Sequence, residues 1–190
     1  MRVLGITGSL RRDSLNSALL RAAAERLPAG VEWSEFEHLG EIPLYDADLE
    51  AETTPDAVAE LRAAMRGADA VLIATPEYNH SIPGGLKNAL DWASRPAGES
   101  ALNGKPAAAI GASTGMFGAV WAQAETRKVL GALGGRVIET ELPVALAADL
   151  LVDGRLELSP QQSEQLERLL AELIASAEEA EEARVEPVAA

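Results

Sequence analysis

Short apolar runs alternate with segments of helical periodicity along the whole chain. The run 70–74 is uninterrupted by polar residues, which indicates a strand buried on both faces of a sheet. The run 31–36 carries interleaved Glu and Ser residues, so it predicts an edge strand with one solvated face. The predicted strands are 3–7, 31–36, 70–74, 105–111 and 136–144, and the predicted helices are 16–27, 55–65, 83–93, 118–133 and a last one from about residue 160.

Strict alternation of these five strands and five helices predicts an α/β protein with a parallel sheet and helices on both faces. Five units are too few for an eight-stranded barrel and favour a flavodoxin-like doubly wound sheet of order 2-1-3-4-5. We expect a single domain over residues 1–175, followed by an acidic, disordered tail over 176–190. Open sheets of this kind bind ligands beyond the carboxyl ends of their strands, so we expect a ligand at the loops after the first, third and fourth strands.

Charge and composition exclude several classes of function. The 16 Lys and Arg against 30 Asp and Glu leave a net charge of −14, which disfavours nucleic acid and anionic lipid surfaces as partners. The absence of Cys excludes disulfides and thiol nucleophiles, and two histidines are too few for a histidine-built metal site, so no metal is expected. The opening MRVLGITGSL has no signal-peptide pattern and no apolar run is long enough for a bilayer, so a cytoplasmic protein is expected.

The loop after the first strand carries the donors of a candidate phosphate site. Ser9, Ser14 and Asn16 supply hydroxyl and amide groups, and Arg11 adds a fixed positive charge just before a helix begins. Free N–H groups at a helix start, together with such side chains, suit a phosphate monoester. A turn in which Ser14 only caps the helix would use the same residues, so this loop alone leaves both interpretations open. A Gly-x-Gly-x-x-Gly dinucleotide fingerprint is absent from the sequence.

The loop after the third strand has the features of a rigid platform for a planar ring. It holds Pro76, Glu77, Tyr78 and Asn79, and further proline and glycine residues restrict its conformations. Tyr78 offers a flat apolar face, and Asn79 a hydrogen-bond donor and acceptor. A purely structural turn that leads into the next helix is compatible with the same residues.

The loop after the fourth strand is rich in glycine and small polar residues. Ser113, Thr114 and Gly115 favour a backbone whose N–H groups face ligand oxygens. The spacing of Gly111, Ser113 and Gly115 also matches the nucleophile elbow of serine hydrolases. That interpretation requires a histidine downstream of the serine, whereas His38 and His80 both lie upstream, so it is the weaker one.

Together these loops resemble those of the NAD(P)H-dependent FMN reductase family of flavodoxin-like proteins, which includes quinone- and chromate-reducing members. The likeness rests on GSLRRDSLN at 8–16 and on PEYN at 76–79, which continues into PGGLKNALDW at 83–92. IPLYD at 42–46 and the 113–115 loop match more loosely, and the resemblance spans roughly residues 1–145. It implies non-covalent FMN, with the phosphate on the first loop, the isoalloxazine against 76–79 and its pyrimidine edge near 113–115. The implied cofactor-binding residues are Ser9, Arg11, Ser14, Leu15, Asn16, Pro76, Glu77, Tyr78, Asn79, Ser113, Thr114 and Gly115.

The resemblance further implies an enzyme in which NADPH or NADH reduces the flavin and a small acceptor reoxidises it. Quinones, azo compounds and chromate are the acceptors that the family suggests, and no residue is singled out as an obligate acid or base. Such enzymes are homodimers or homotetramers that assemble through the helix after the 76–79 motif, here carrying Lys87, Asp91 and Trp92. Two alternatives remain open, namely an FMN-binding electron carrier for a protein partner and a serine hydrolase built on Ser113.

Overall fold

The strands pair in the order that the alternating pattern predicts. The structure, a computed structural model, describes residues 1–185, with side chains through residue 183. Its strands are β1 (Arg2–Thr7), β2 (Glu32–Phe36), β3 (Ala70–Ala74), β4 (Pro106–Ala112), β5 (Arg136–Val137), β6 (Pro143–Val144), β7 (Leu151–Val152) and β8 (Arg155–Leu156). The main sheet has the order β2-β1-β3-β4-β5 with β6 also paired to β4, and all of its pairs are parallel. The flavodoxin-like doubly wound fold is thereby confirmed.

Helices cover both faces of this sheet. They are α1 (Leu15–Ala24), α2 (Ala47–Glu52), α3 (Asp56–Gly67), α4 (Gly84–Ala93), α5 (Val120–Ala132) and α6 (Pro160–Val185). Side chains alternate between the faces along each strand, so Leu72 packs with α1 and α6 while Val71 and Ile73 pack with α3 and α4. Every residue of β3 and β4 is buried, as expected for the centre of a doubly covered sheet.

The predicted strand 136–144 is interrupted in the structure. β5 pairs with the beginning of β4 and β6 with its end, and the intervening residues leave the ladder. In this interval Glu139 and Glu141 form ion pairs with Arg127 of α5. The side chains that interrupt the apolar pattern are therefore engaged by a neighbouring helix, and the strand divides in two.

The expected disorder of the tail is wrong for residues 176–185, because α6 continues through them. Leu173, Ala177 and Ala180 lie on one side of this helix and are buried, so its apolar face extends past the predicted boundary. The acidic residues occupy the opposite, solvated face. The remainder of the expected tail, 186–190, lies outside the described residues. Within residues 1–185, no helix has both the length and the apolar character that crossing a bilayer would require.

The segment expected as a loop over 38–54 contains α2 and is fastened to α4. The Asn88 amide accepts a hydrogen bond from the Tyr45 N–H and donates one to the carbonyl of Pro43, each at 2.8 Å. The Trp92 indole N–H donates to the same carbonyl at 2.9 Å. Glu50 of α2 completes the attachment by accepting from Arg95 and from the Tyr45 hydroxyl, both at 2.8 Å. The segment is thus positioned by side chains rather than by its own short helix.

The Glu50 cluster predicts a specific dependence of stability on pH. Hydrogen bonds from Arg95, assisted by the Tyr45 hydroxyl, lower the pKa of Glu50 below its ordinary value. A carboxyl whose pKa is lower in the folded state contributes stability above its unfolded pKa, and that contribution is lost as pH falls through the folded pKa. We therefore expect the wild type to lose more free energy of unfolding than Glu50→Gln between about pH 5 and pH 3, measured by urea denaturation. Glu52→Gln, which changes an exposed carboxyl in the same helix, should keep the wild-type pH dependence. Parallel curves for the wild type and Glu50→Gln would contradict this prediction.

Candidate functional site

The three loops singled out in the sequence meet in one cleft at the carboxyl ends of β1, β3 and β4. Ten of the twelve predicted residues line it, while Asn79 and Gly115 lie outside its lining. The cleft is open to solvent and has a volume of about 120 Å³. Its lining consists of Ser9, Arg11, Ser14, Leu15, Asn16, Pro76, Glu77, Tyr78, Ala112, Ser113 and Thr114. The parallel sheet therefore brings together residues that lie more than 100 positions apart in the chain.

One end of the cleft is formed by the start of α1. Ser14 is the N-cap, and its hydroxyl oxygen accepts from the N–H groups of Asn16 and Ser17 at 3.2 Å. Because both of these bonds use the oxygen, the hydroxyl proton of Ser14 is left to donate elsewhere. The N–H of Leu15, the first residue of the helix, has no intrahelical partner. With the buried Ser9 hydroxyl beside them, these groups present donors to an anion at the positive end of a helix dipole.

Two arginines next to this helix start are free of partners. Arg11 and Arg12 are exposed, and neither guanidinium forms an ion pair or a side-chain hydrogen bond with any residue between 1 and 185. By contrast, Arg2, Arg95 and Arg136 each pair with a glutamate. Arg11 lines the cleft, whereas Arg12 does not. In a chain with a net charge of −14, Arg11 therefore places on the cleft lining a positive charge that forms no ion pair within the described residues.

Asn16 plays a part that the sequence did not reveal. Its Nδ2 donates to the carbonyl of Ala112 and its Oδ1 accepts the N–H of Ala112, both at 2.9 Å. The two residues are buried and lie 96 positions apart. Asn16 lines the cleft, but its amide is engaged in fastening α1 to the end of β4. Ala112 offers only backbone groups to this contact, so no side-chain signal pointed to it.

The loop after β3 forms a tight turn at the mouth of the cleft. The backbones of Tyr78 and Ser81 exchange two hydrogen bonds of 3.1 Å, and Asn79 and His80 between them have φ values of 53° and 60°. Two consecutive left-handed residues are the geometry of a type I′ turn, which Asn favours. The Tyr78 side chain is 49% exposed, so a large part of its ring faces solvent beside the cleft.

A glycine of the first loop allows close packing beneath this turn. A Cβ on Gly8 would lie 2.9 Å from a Leu86 methyl carbon and 3.2 Å from the Pro76 ring. Gly8 also donates its N–H to Ala74 at 2.8 Å. The absence of a side chain at this position therefore lets the loop after β1 approach the loop after β3.

Glu77 lines the cleft, yet its carboxylate reaches the neighbouring helix. Oε2 accepts the N–H groups of Trp121 and Ala122, at 3.0 and 3.1 Å, in the first turn of α5. The side chain is only 12% exposed. His80 lies on the exposed side of this carboxylate, with Nδ1 3.7 Å from Oε1, and its ring meets Trp121 edge-on at 4.8 Å. Glu77 thus links the loop after β3 to the loop after β4.

The geometry around Ser113 does not support a hydrolase. Its hydroxyl donates to the carbonyl of Gly115 at 3.4 Å, and within residues 1–185 it has no hydrogen bond to a histidine. His38 is bonded to Glu41, and His80 lies against Glu77 and Trp121. A general base for a Ser113 nucleophile is therefore lacking in the described structure.

Exposed apolar side chains flank the cleft. Met116, Phe117 and Trp121 are exposed on the side of the loop after β4, and the Phe117 and Trp121 rings are 4.9 Å apart. Trp92, by contrast, is completely buried and belongs to the core. The exposed group enlarges the apolar surface next to the small cleft, which suits a planar ligand larger than the cleft itself.

Comparisons with known proteins show the family and the fold. The profile of the family described as NADPH-dependent FMN reductase matches residues 1–149. An NAD(P)H-dependent FMN reductase of Pseudomonas aeruginosa is 51% identical over 130 residues, which cover 68% of this chain and 69% of that protein. A 2-hydroxy-1,4-benzoquinone reductase of a Burkholderia species is 44% identical over 129 residues, with coverages of 68% and 69%. The solved structure of FerB, a flavoenzyme NAD(P)H:(acceptor) oxidoreductase from Paracoccus denitrificans, superposes with a TM-score of 0.82 at 35% identity and covers 94% of this chain and 98% of its own.

The link between Asn16 and Ala112 predicts a loss of stability that needs no ligand to be observed. Asn16→Ala leaves a buried N–H and a buried carbonyl without partners, so we expect the free energy of unfolding to fall by about 2 kcal/mol or more. Urea denaturation of the ligand-free protein measures this loss. Asn103→Ala, which removes an exposed amide, should change the free energy by less than about 0.5 kcal/mol. Equal stabilities for the two variants would show that the contact with Ala112 contributes nothing.

Proposed function

Because the chain belongs to the NADPH-dependent FMN reductase family, we propose that it reduces quinones with electrons from NAD(P)H through FMN held at the three-loop cleft. Family membership makes the chain an oxidoreductase with FMN as its cofactor and NAD(P)H as its electron donor. Bound FMN supplies the redox chemistry by accepting and then releasing two electrons as a hydride, while the protein binds and orients the reactants. The observation that carries the proposal is the unpartnered Arg11 at a helix start, on the lining of a cleft in an otherwise acidic protein.

The end of the cleft at α1 is the proposed phosphate site. Within the described part of the chain, four donors lack an acceptor, and a phosphate supplies acceptors. They are the Ser14 hydroxyl proton, the Leu15 N–H, the Ser9 hydroxyl and the Arg11 guanidinium. The donor set therefore fits the group. Asn16 contributes by holding α1 in place, because its amide is engaged with Ala112.

The ring of the cofactor is proposed to lie over the mouth of the cleft. A volume of about 120 Å³ falls well below the roughly 300–1,000 Å³ of sites that enclose whole ligands, so only one end of FMN fits inside. Pro76 to Tyr78 on the loop after β3 and Ser113 with Thr114 on the loop after β4 line the cleft beside its α1 end. Asn79 and Gly115 stand outside the lining of the cleft, as residues that contact only the outer part of a longer ligand would.

The acceptor is proposed to be a small quinone that reaches the exposed side of the ring. Relatives with 41–51% identity include enzymes named quinone reductase and 2-hydroxy-1,4-benzoquinone reductase. Because the mouth is open, the nicotinamide and then the quinone can take turns at the same surface. Such alternation also requires no dinucleotide fingerprint in the chain. A cytoplasmic location is proposed, because the reaction consumes NAD(P)H and the cytoplasm supplies it.

A second copy of this chain is proposed to cover the exposed apolar residues near the cleft, giving a homodimer or homotetramer. Leu10, Leu44 and Tyr45 are exposed around α4, and Phe117 and Trp121 flank the other side. Lys87 and Asp91 form an ion pair on the accessible face of α4. Trp92 takes no part in this interface because it is buried in the core of its own chain.

The reaction is tested by following NADPH oxidation with menadione as the acceptor. The protein should copurify with FMN, release it on heat denaturation, and lose turnover when the flavin is removed. FMN binding without turnover with either nicotinamide would favour an electron carrier that serves a protein partner. A colourless protein that does not bind added FMN would contradict the proposal.

The phosphate site predicts that Arg11→Ala affects FMN more than riboflavin, which lacks the phosphate. The lost charge-assisted hydrogen bonds should weaken FMN by about 1.5–3 kcal/mol, a factor of about 10 to 150 in Kd. Fluorescence titration of the ligand-free protein with each flavin measures the difference, and riboflavin affinity should be unchanged. Arg12→Ala removes the same charge from the neighbouring residue outside the cleft and serves as the control. Equal effects of Arg11→Ala on both flavins would place the phosphate elsewhere.

A further inference from the structure

We propose that Glu77 is a positioning residue whose carboxylate sets the spacing of the two loops beside the flavin ring by binding the protein, and that this carboxylate is not a ligand of the flavin. Its carboxylate acts from the loop after β3 on the first turn of α5, which in turn holds the loop 113–119. The inference rests on the proposed function, because it assigns Glu77 a role at the same site. It also departs from the resemblance, which implied that Glu77 binds the cofactor directly.

Helix α5 has no N-cap side chain of its own. Its N-cap residue, Ala119, has no side chain that could accept a hydrogen bond. The N–H groups of Trp121 and Ala122 occupy the second and third positions of the helix, where an N-cap oxygen normally binds. Glu77 Oε2 accepts both, at 3.0 and 3.1 Å. A residue 42 positions before Ala119 therefore serves as the cap, and its negative charge is favourable at this end of the helix dipole.

The backbone immediately before α5 is strained. Gly118 and Ala119 are both left-handed, with φ of 58° and 61°. This conformation is unfavourable for alanine, so other contacts must hold it in place. On the inner side, the fully buried Gln123 donates to the Gly118 carbonyl at 3.0 Å and accepts the Leu142 N–H at 3.1 Å. On the outer side, Glu77 supplies the contact to the loop after β3.

A second hydrogen bond links the loop after β3 to α5. The Ser81 hydroxyl donates to Oε2 of Glu125 in α5 at 2.5 Å, one helical turn beyond the residues that Glu77 caps. His80 lies edge-on to the Trp121 ring at 4.8 Å. The turn that carries Tyr78 is therefore fastened to α5 on both sides, and Glu77 is the buried member of this attachment.

The arrangement predicts which part of the ligand depends on Glu77. The phosphate donors belong to the loop after β1 and to α1, and none of them is hydrogen-bonded to Glu77 in the described structure. The loops that Glu77 joins are those assigned to the ring. Loss of Glu77 should therefore weaken FMN and riboflavin by the same factor, in contrast to loss of Arg11.

The experiment compares Glu77→Ala, Glu77→Gln and the control Glu167→Gln, which neutralises an exposed glutamate of α6. Two quantities are measured, namely amide hydrogen exchange at Trp121 and Ala122 in the ligand-free protein, and the Kd values for FMN and riboflavin. For Glu77→Ala we expect exchange about fivefold faster and both Kd values about fivefold larger, the scale of a lost N-cap. Glu77→Gln keeps an oxygen that can accept both N–H groups, so both quantities should stay within about twofold of the wild type. Glu167→Gln should change neither.

Several results would overturn the inference. Equal loss of affinity in Glu77→Gln and Glu77→Ala, with exchange at Trp121 and Ala122 unchanged in Glu77→Gln, would mean that Glu77 acts through its charge on the ligand. A larger effect on FMN than on riboflavin would place its action at the phosphate. Faster exchange with unchanged affinities would limit Glu77 to capping a helix. Should Glu77→Ala fail to fold in a thermal unfolding scan, Glu77→Asp, whose carboxylate is one methylene shorter, replaces it with the same expected direction. A wild-type protein that binds neither flavin would overturn the proposed function itself, whereas wild-type binding combined with unchanged affinities in the variant overturns only this inference.

Discussion

The sheet alone does not satisfy the backbone around the end of β4, because β3 pairs with β4 only as far as Ile110, and on the other side β4 changes its partner from β5 to β6. Side chains from other elements supply the missing hydrogen bonds. Asn16 bonds both backbone groups of Ala112, Gln123 accepts the N–H of Leu142, and Glu77 accepts two N–H groups of α5. Buried N–H and carbonyl groups are costly without partners, so these contacts determine how the loop after β4 is placed. The shape of the cleft depends on them.

The polar groups that shape the cleft are therefore different from the groups that remain available to bind a ligand. The amide of Asn16 and the carboxylate of Glu77 are engaged within the protein, whereas Arg11, the Ser14 hydroxyl proton and the Leu15 N–H are donors that have no acceptor among the described residues. Donors held in place by the fold lose little freedom when a ligand arrives, which favours affinity. Because the rest of the chain is acidic and repels anions, the positive charge of Arg11 favours anion binding at the cleft over binding elsewhere on the surface.

The sequence was informative wherever a local pattern determined the structure. The apolar run 70–74 predicted a buried central strand, and the polar residues of 31–36 predicted an edge strand, as observed. The prediction of a disordered tail was wrong for 176–185, because it rested on four glutamates. The small side chains of Ala177 and Ala180 continue the buried face of α6. The prediction of one continuous strand over 136–144 was wrong. Glu139 and Glu141, which lie between β5 and β6, form ion pairs with Arg127 of α5.

By itself, the sequence determined the order of strands and helices, the three loops at one edge of the sheet, and the family, because periodicity and motif spacing are local properties of the chain. Only the tertiary structure decided which of the predicted site residues bond their polar atoms to the protein itself. Asn16 and Glu77 carry the same kinds of polar atoms as ligand-binding residues, and the partners of those atoms are backbone groups 96 and 44 positions away. Backbone groups are identical at every residue except proline, so no residue pattern marks the ones that a distant side chain will bind.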